Sequence, residues 1–290
     1  MPTFLDQLAA RFDAWTAAPT PAVAVEFAAG RLVAGRSGAG APRAHLLDPG
    51  AVVPSAVRAN LADPEALHRP LRSLLEAVGG LEEAVSLLVP DLTARVSVLD
   101  FDALPTRRDE LEPLARFRLR KSLPFAEDQA VISCQVLSPR RLLVAVADRA
   151  RLDEYENCLE TAGGRAATVL PSGLACLAGS PALNHGALLI RAEQGSLTTS
   201  FCWQERVEFY RAIELEAPVS FDDIFPSVAF FRDRVEASSG FAPGDARLFS
   251  AGLDPDMEAR LREEVPWATL QSADAAGLLA VTGALRGRFA

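Results

Sequence analysis

The sequence has few of the side chains on which metal sites and classical side-chain catalysis depend. Its 290 residues include only three histidines and four cysteines, and all of them stand far apart. No C-x-x-C pair, zinc-ligand spacing or catalytic triad can be assembled from them. We therefore expect Cys134, Cys158, Cys176 and Cys202 to be reduced thiols that act as small core residues. We predict no metal site and no catalytic residue.

Long apolar runs and an excess of positive charge are also missing. No stretch of about 18 apolar residues is present, so no membrane-spanning helix is predicted. The start MPTFLDQLAARFDAW lacks the basic and apolar regions of a secretory signal, which favours a cytoplasmic location. The 38 acidic and 29 basic side chains give a net charge of −9. The surface as a whole repels phosphate backbones, so we expect no nucleic-acid partner.

The chain is long enough for one large α/β unit or for two domains, and 49% of its residues are hydrophobic. Triplets of strands followed by alternating helices and strands predict a mixed sheet with helices on its faces. From residue 103 the order helix, strand, strand, helix, strand describes a compact α+β insert. The pattern of the first 20 residues, with Phe4, Leu8, Phe12 and Trp15 on one face, predicts an amphipathic helix.

Two segments of the chain indicate an internal duplication. AVAVEFAAGRL (22–32) aligns without gaps on ALLIRAEQGSL (187–197), which places Gly30 on Gly195. Each segment predicts an apolar strand, a short turn closed by glycine and a returning strand, as a repeated fold requires. The alternative is chance, because hairpins with such turns are common in β-rich proteins.

After residue 20 the sequence resembles the PilM family of type IV pilus assembly and, more loosely, its relatives GspL of type II secretion and MshI of mannose-sensitive pili. The most specific segment is 85–137, where Leu104-Pro105 and Leu123-Pro124-Phe125 match a Leu-Pro step and an (I/L)-P-F ending. The resemblance implies an α/β, actin-like (duplicated ribonuclease H-like) two-domain fold, with an inserted small α+β subdomain and a reduced second domain.

The periodicity of the first 20 residues, together with the resemblance after residue 20, implies a division of the chain. The expected parts are the amphipathic helix at 1–20, the first actin-like domain at 21–102, the inserted subdomain at 103–170, a return helix at 171–184, the second actin-like domain at 185–273 and a C-terminal helix at 274–290. Only EAPVSFDDIF separates the strand FYRAIEL from the helix PSVAFFRDRV. That length cannot form the helical subdomain that covers the nucleotide in the family.

The nucleotide-binding motifs of the family are degenerate here. The matching positions are Glu26, Ala28 and Gly30 in the first hairpin, Arg191, Glu193 and Gly195 in the second, and Gly252 after the strand ARLFSAG. Arg191 replaces an acid, and Glu193 puts a carboxylate where a phosphate would lie. We expect a pseudo-ATPase without a cofactor, in which Glu26 and Arg191 form an ion pair across the cleft. The alternatives are a functional switch that binds ATP and magnesium, and an enzyme of the sugar-kinase type.

The resemblance implies a protein partner as well. PilM-like proteins bind the N-terminal cytoplasmic tail of the single-pass inner-membrane protein PilN in a groove between the first domain and the insert. The candidate partner-binding residues in ARFRLRKSLPF are Arg116, Arg118, Arg120, Lys121, Leu123 and Phe125. Their cations either cap a solvated helix or contact anionic lipid or an acidic partner. We expect Phe117, Leu123 and Phe125 to lie in a core or groove wall.

These expectations place the protein in the cytoplasm, peripheral to the inner membrane through its partner. Membrane contact is then indirect, and homo-oligomers are compatible with the fold. The sequence does not distinguish a type IV pilus from a type II secretion system.

Overall fold

The computed structural model describes residues 20–179, 186–203, 206–237, 246–266, 268–273 and 276–286. All but the last residue of the helix predicted over 1–20 lies outside this part of the chain. Among the described residues, no helix has both the length and the apolar composition needed to cross a bilayer.

The described residues form thirteen strands and seven α-helices. The strands are β1 (Val23–Ala28), β2 (Arg31–Arg36), β3 (Arg43–Leu46), β4 (Ala84–Val89), β5 (Ala94–Asp100), β6 (Ala130–Ser138), β7 (Arg141–Asp148), β8 (Arg165–Pro171), β9 (Ala187–Glu193), β10 (Ser196–Trp203), β11 (Arg206–Glu214), β12 (Arg247–Ala251) and β13 (Thr269–Ala273). The helices are α1 (Pro64–Ala77), α2 (Leu111–Leu119), α3 (Arg149–Thr161), α4 (Ser172–Gly179), α5 (Phe221–Ala237), α6 (Pro255–Glu264) and α7 (Ala276–Arg286).

Two five-stranded sheets repeat one topology. Their strand orders are β3-β2-β1-β4-β8 and β11-β10-β9-β12-β13. In each sheet an antiparallel meander supplies three strands, and the other two strands run parallel to its first strand. The duplication predicted from the two hairpin segments is confirmed, since β1 and β9 occupy equivalent central places.

The central strands explain why those segments are so apolar. All six residues of β1 are buried, and so are the first six of β9. A strand that is covered on both faces has a continuous apolar run rather than an alternating one. Glu26 and Arg191 are the charged exceptions within these runs.

The two halves share one apolar core. Helices α4 and α7 pack against each other, and their buried residues join both sheets in a single cluster. Its members include Ala24, Leu88, Leu174, Leu177, Leu189, Phe249, Val281 and Ala284. Because this cluster crosses the boundary between the halves, their relative position depends on side-chain packing as well as on polar contacts.

Outer helices complete the layers. Helices α1 and α3 cover the first sheet, and α5 and α6 cover the second. Residues 215–220, which connect β11 to α5, contain no helix or strand. This agrees with the prediction that the connection is too short for an additional helical subdomain. All four cysteines are free, and burial raises the pKa of Cys158 to about 12. This agrees with the prediction that they are reduced packing residues.

The insert has different limits from those predicted from the sequence. Strand β5 was assigned to the first domain, which was expected to end at 102, but it pairs with β7 along its whole length. The insert therefore begins with β5 and forms the sheet β5-β7-β6, with α2 on one face. It ends with β7 rather than at 170, because α3 packs into the core of the first half and β8 pairs with β4.

Candidate functional site: a buried charge cluster and an apolar groove

Glu26 and Arg191 meet in the cleft between the two halves. They lie at matching positions of β1 and β9, and Nη2 of Arg191 donates to Oε1 of Glu26 at 2.5 Å. The exposed fractions of the two side chains are 0% and 2%. The ion pair predicted across the cleft is therefore present, and it is shielded from solvent.

Arg191 also contacts two further carboxylates. Its Nη1 donates to Oδ2 of Asp91 at 2.9 Å, and its Nη2 donates to Oε1 of Glu193 at 2.7 Å. Burial by itself would lower the pKa of Arg191, but the three carboxylates outweigh it and raise that pKa well above its ordinary value. Arg31, from β2, donates to the same Oε1 of Glu193 at 2.9 Å. The cluster thus joins both hairpins.

Asp91 accepts four hydrogen bonds, one from α4 and three from strands of the second half. It follows β4, at the start of a short 3-10 helix, and is buried. Its Oδ1 accepts from the N–H of Gly173 and from the hydroxyl of Tyr210, both at 2.7 Å. Its Oδ2 accepts from the hydroxyl of Thr198 at 2.7 Å, in addition to Arg191. One carboxylate therefore links the end of β4, the start of α4 and the second half.

Gly173 lies too close to Asp91 and Tyr210 to carry a side chain. A Cβ atom at this position would lie 2.6 Å from the hydroxyl oxygen of Tyr210 and 3.0 Å from Oδ1 of Asp91. No side chain can be added without moving the partners of Asp91. The close approach of the α4 backbone to the carboxylate thus requires glycine here.

Sequence reasoning missed Asp91, Thr198 and Tyr210. Tyr210 donates its buried hydroxyl to Asp91, and burial together with that carboxylate raises its pKa well above the ordinary value. One signal could have identified Asp91: an acid soon after a buried strand parallel to β1. The carboxyl ends of parallel strands meet at one edge of a sheet, where sites form.

The cluster is one proton short of neutrality. It contains the carboxylates of Glu26, Asp91 and Glu193 and the guanidinium groups of Arg31 and Arg191. Burial and the charge of Glu193 together raise the pKa of Glu26 to about 7, against the attraction of Arg191 and Arg31. A proton on Glu26 would therefore balance the charges of the cluster.

The turns of the two hairpins face each other. Gly30 and Gly195 occupy these turns, and a Cβ atom built on Gly30 would lie 3.8 Å from Oε1 of Gln194 in the opposite turn. Ala28 is buried and pairs with Arg31 within the first hairpin. The sequence-predicted cleft residues of the hairpins are thus brought together, and contacts between protein groups join them.

A magnesium-nucleotide complex does not fit these residues. A triphosphate would add negative charge beside the carboxylates of Glu26, Asp91 and Glu193, and Arg191 already contacts all three. Both oxygens of Asp91 are occupied by donors. Among the described residues, no group of three or more His, Cys, Asp or Glu side chains is arranged to hold a metal ion.

Gly252, the remaining predicted cleft residue, is required by backbone packing. It follows β12 with φ of +77°, in the left-handed region that favours glycine. A Cβ atom there would lie 2.1 Å from the carbonyl oxygen of Ala192 in β9. This close approach explains the glycine without a ligand.

The predicted partner-binding residues divide into two groups. Arg116 is used within the insert, since it donates to the carbonyl oxygens of Glu127 and Ala130 at 2.6 and 3.1 Å. Leu123 and Phe125 are half-buried against the core of the insert. Arg118, Arg120 and Lys121 are exposed around the end of α2. The prediction that Phe117 lies in a core or groove wall is wrong, because its exposed fraction is 64% and it does not line the groove beside the insert.

An apolar groove of about 170 Å³ separates the insert from the first half. Its walls include Val89, Ala94, Val131, Ala145, Leu152 and Val169, with Ser133, Arg149 and Glu156 as polar members. Helix α2 packs on the other face of the insert sheet, so none of the predicted partner-binding residues lines the groove. Strands β6 and β8, which border it, are edge strands of their sheets.

Known structures match the chain across nearly its whole length. A chain of the PilM-PilN type IV pilus biogenesis complex has a TM-score of 0.66 and 15% identity, over 92% of this chain and 98% of that one. The cytoplasmic domain of EpsL, an inner-membrane component of the Vibrio cholerae type II secretion system, has a TM-score of 0.57 and 12% identity, over 91% and 94%.

A Bacteroides thetaiotaomicron protein of unknown function, with an actin-like ATPase fold, has a TM-score of 0.53 and 8% identity, over 93% of this chain and 97% of that one. No protein-family model matches the chain, and no curated protein matches it in sequence. These structural matches identify the actin-like fold that the sequence resemblance implied.

The first prediction concerns Asp91. Asp91→Asn removes one of the three carboxylates that contact Arg191. It also places the side-chain NH2 group, which is a donor, against groups that already donate hydrogen bonds to Asp91. We expect the free energy of unfolding to fall by about 3 kcal/mol or more, as when a buried ion pair loses one partner. Urea unfolding followed by circular dichroism measures the loss.

Asp100→Asn is the matched control, because Asp100 pairs with Arg141 at 3.0 Å and its side chain is 78% exposed. An exposed pair contributes at most about 1 kcal/mol. Equal unfolding midpoints for the two variants would contradict the role assigned to Asp91.

The second prediction concerns the pH dependence of stability. The pKa of Glu26 is about 7 in the folded protein and 4.5 as its ordinary value. Between these two pH values Glu26 is protonated in the folded state and ionised in the unfolded state. The free energy of unfolding therefore falls as the pH rises through this range. Glu26→Gln has no such titration. The difference in free energy of unfolding, variant minus wild type, should increase from about pH 4.5 to 7 and level off above. A difference that is constant over this range would refute the assignment.

Proposed function

We propose that the chain is a scaffold without ATPase activity in a type IV pilus or type II secretion machine. In this proposal it lies in the cytoplasm at the inner membrane and binds the N-terminal tail of a PilN-type inner-membrane protein. One observation carries the proposal: the cleft between the halves is filled by the chain's own buried charges, whereas the groove beside the insert is open. No nucleotide or metal cofactor is part of it.

The charge cluster supports the absence of a nucleotide cycle. Arg191 supplies, from β9, the positive charge that holds the carboxylates of both halves. A nucleotide would have to displace these contacts, and each buried charge would then need a new partner. The function left to the fold is recognition of another protein.

The groove supports an extended peptide as the ligand. Its walls are mostly apolar, which suits alternate side chains of a strand, and the outer edges of β6 and β8 have no partner strand in the described part of the chain. Peptides that add to such edges gain affinity from backbone hydrogen bonds and specificity from side-chain pockets. A chain with the same fold belongs to the PilM-PilN type IV pilus biogenesis complex.

The third prediction tests the groove with two substitutions in one strand. Val131 lines the groove from β6, whereas Val136 of the same strand is 50% exposed and lies outside it. Val131→Glu should weaken binding of the tail at least about tenfold, because a charge would be buried in an apolar wall. Val136→Glu should leave the affinity within about twofold of wild type. The probe is a fluorescein-labelled peptide of the tail of the organism's own PilN-type protein, followed by fluorescence anisotropy.

Circular dichroism establishes that both variants are folded. Unchanged binding by folded Val131→Glu would reject the groove as the site, and so would equal losses in the two variants. Failure of the wild-type chain to bind the tail would reject the proposed function.

A further inference from the structure

A second surface of the insert carries positive charge that the fold does not use. Arg118, Arg120 and Lys121 are exposed around the end of α2, and none of them forms an ion pair within the described part of the chain. Arg116, one turn earlier, differs because it is bonded to Glu112 and to carbonyl oxygens of the insert. Three neighbouring cations therefore remain without carboxylate partners on a protein of net charge −9.

The structure adds a fourth cation that the sequence did not place here. Arg95 is an exposed residue of β5, and its Nη1 donates to the carbonyl oxygen of Ser122 at 2.7 Å. This contact holds its guanidinium group at the backbone of Ser122, the residue after Lys121, although Arg95 is far from both in sequence. Because its partner is a carbonyl oxygen, the charge of Arg95 is not neutralised.

An exposed aromatic ring lies among these cations. Phe117 has an exposed fraction of 64%, and the guanidinium carbon of Arg120 lies 4.4 Å from the centre of its ring. A cation over the ring keeps the aromatic side chain ordered on the surface rather than folded into the core. We call the surface formed by Arg95, Phe117, Arg118, Arg120 and Lys121 the basic-aromatic patch.

We propose that the basic-aromatic patch contacts the headgroups of anionic lipids. Lysine and arginine near a bilayer are attracted to anionic headgroups, and aromatic rings favour the interfacial region. The apolar groove lies on the face of the insert sheet opposite to α2. Arginine clusters also recognise acidic peptides, but an exposed ring that projects among the cations fits the interfacial layer of a bilayer.

The overall charge makes the contact directional. An anionic membrane repels most of a protein with net charge −9 and attracts it only where unneutralised cations gather. The attraction acts over roughly 10 Å at moderate salt, so only the patch and its surroundings take part. The patch would therefore fix one orientation of the chain at the membrane, and this contact does not require the tail-binding function.

The fourth prediction is tested by flotation with lipid vesicles. Wild-type protein should partition at least about tenfold better into phosphatidylcholine vesicles that contain phosphatidylglycerol than into pure phosphatidylcholine vesicles, at about 0.1 M salt. Raising the salt to about 0.5 M should abolish the preference. The charge-reversal variant R118E/K121E should lose it, and Phe117→Ser should reduce it.

The matched control reverses two cations elsewhere. Arg43 and Arg69 are exposed and form no ion pair within the described part of the chain, so R43E/R69E has the same net charge as R118E/K121E. It should retain the preference for anionic vesicles. If both double variants lose it equally, net charge alone is responsible and the proposal is overturned.

Lys121 provides an independent readout, because it is the only lysine of the chain. Apart from the terminal amine, an amine-reactive label therefore reports on the patch alone. Anionic vesicles should slow labelling of Lys121 severalfold, whereas neutral vesicles should not. Equal labelling rates with both kinds of vesicle would contradict the proposal. If the patch binds acidic polypeptides and the protein shows no preference for anionic vesicles, the lipid proposal is rejected in favour of an acidic protein partner.

Discussion

The carboxylate of Asp91 is the contact on which the arrangement of the two halves depends. It accepts hydrogen bonds from a backbone N–H of α4, from the hydroxyls of Thr198 and Tyr210 and from the guanidinium group of Arg191. The same short segment continues to Thr93, which donates to the buried amide oxygen of Asn60. A saturated buried carboxylate is costly to disturb, since any donor that it loses remains without a partner.

The duplication explains how two side chains of opposite charge meet in the cleft. Glu26 and Arg191 occupy matching positions of the repeat, so in the closed molecule they lie opposite each other. An acid at both positions would require a cation between them, whereas an acid and a base neutralise each other. The groove and the charge cluster are close together along the chain. Val89, which lines the groove, lies two residues before Asp91, and Pro171, which also lines it, lies two residues before Gly173. Short backbone segments therefore connect the cluster to the groove.

Sequence reasoning predicted most of the fold, because apolar strands and glycine turns are local signals. It also predicted the pair of Glu26 and Arg191, which follows from aligning the two hairpins. It did not place β5 in the insert, since strand pairing depends on partners distant in sequence. It missed Asp91 and the role of Tyr210 for the same reason: their hydrogen bonds join separate elements. Phe117 was misplaced because an aromatic residue in a helix usually packs inward, and here it projects from the end of one.

The most direct test of a cleft closed by its own side chains is thermal unfolding with and without magnesium and ATP at millimolar concentration. A site filled at a hundred times its Kd would add about 2.7 kcal/mol to the free energy of unfolding. For a chain of this size, that gain corresponds to a rise in Tm of roughly 4 to 5 °C. The structure described here predicts an unchanged Tm. A reproducible rise that requires both magnesium and ATP would contradict it, and would make the cleft a nucleotide-binding switch.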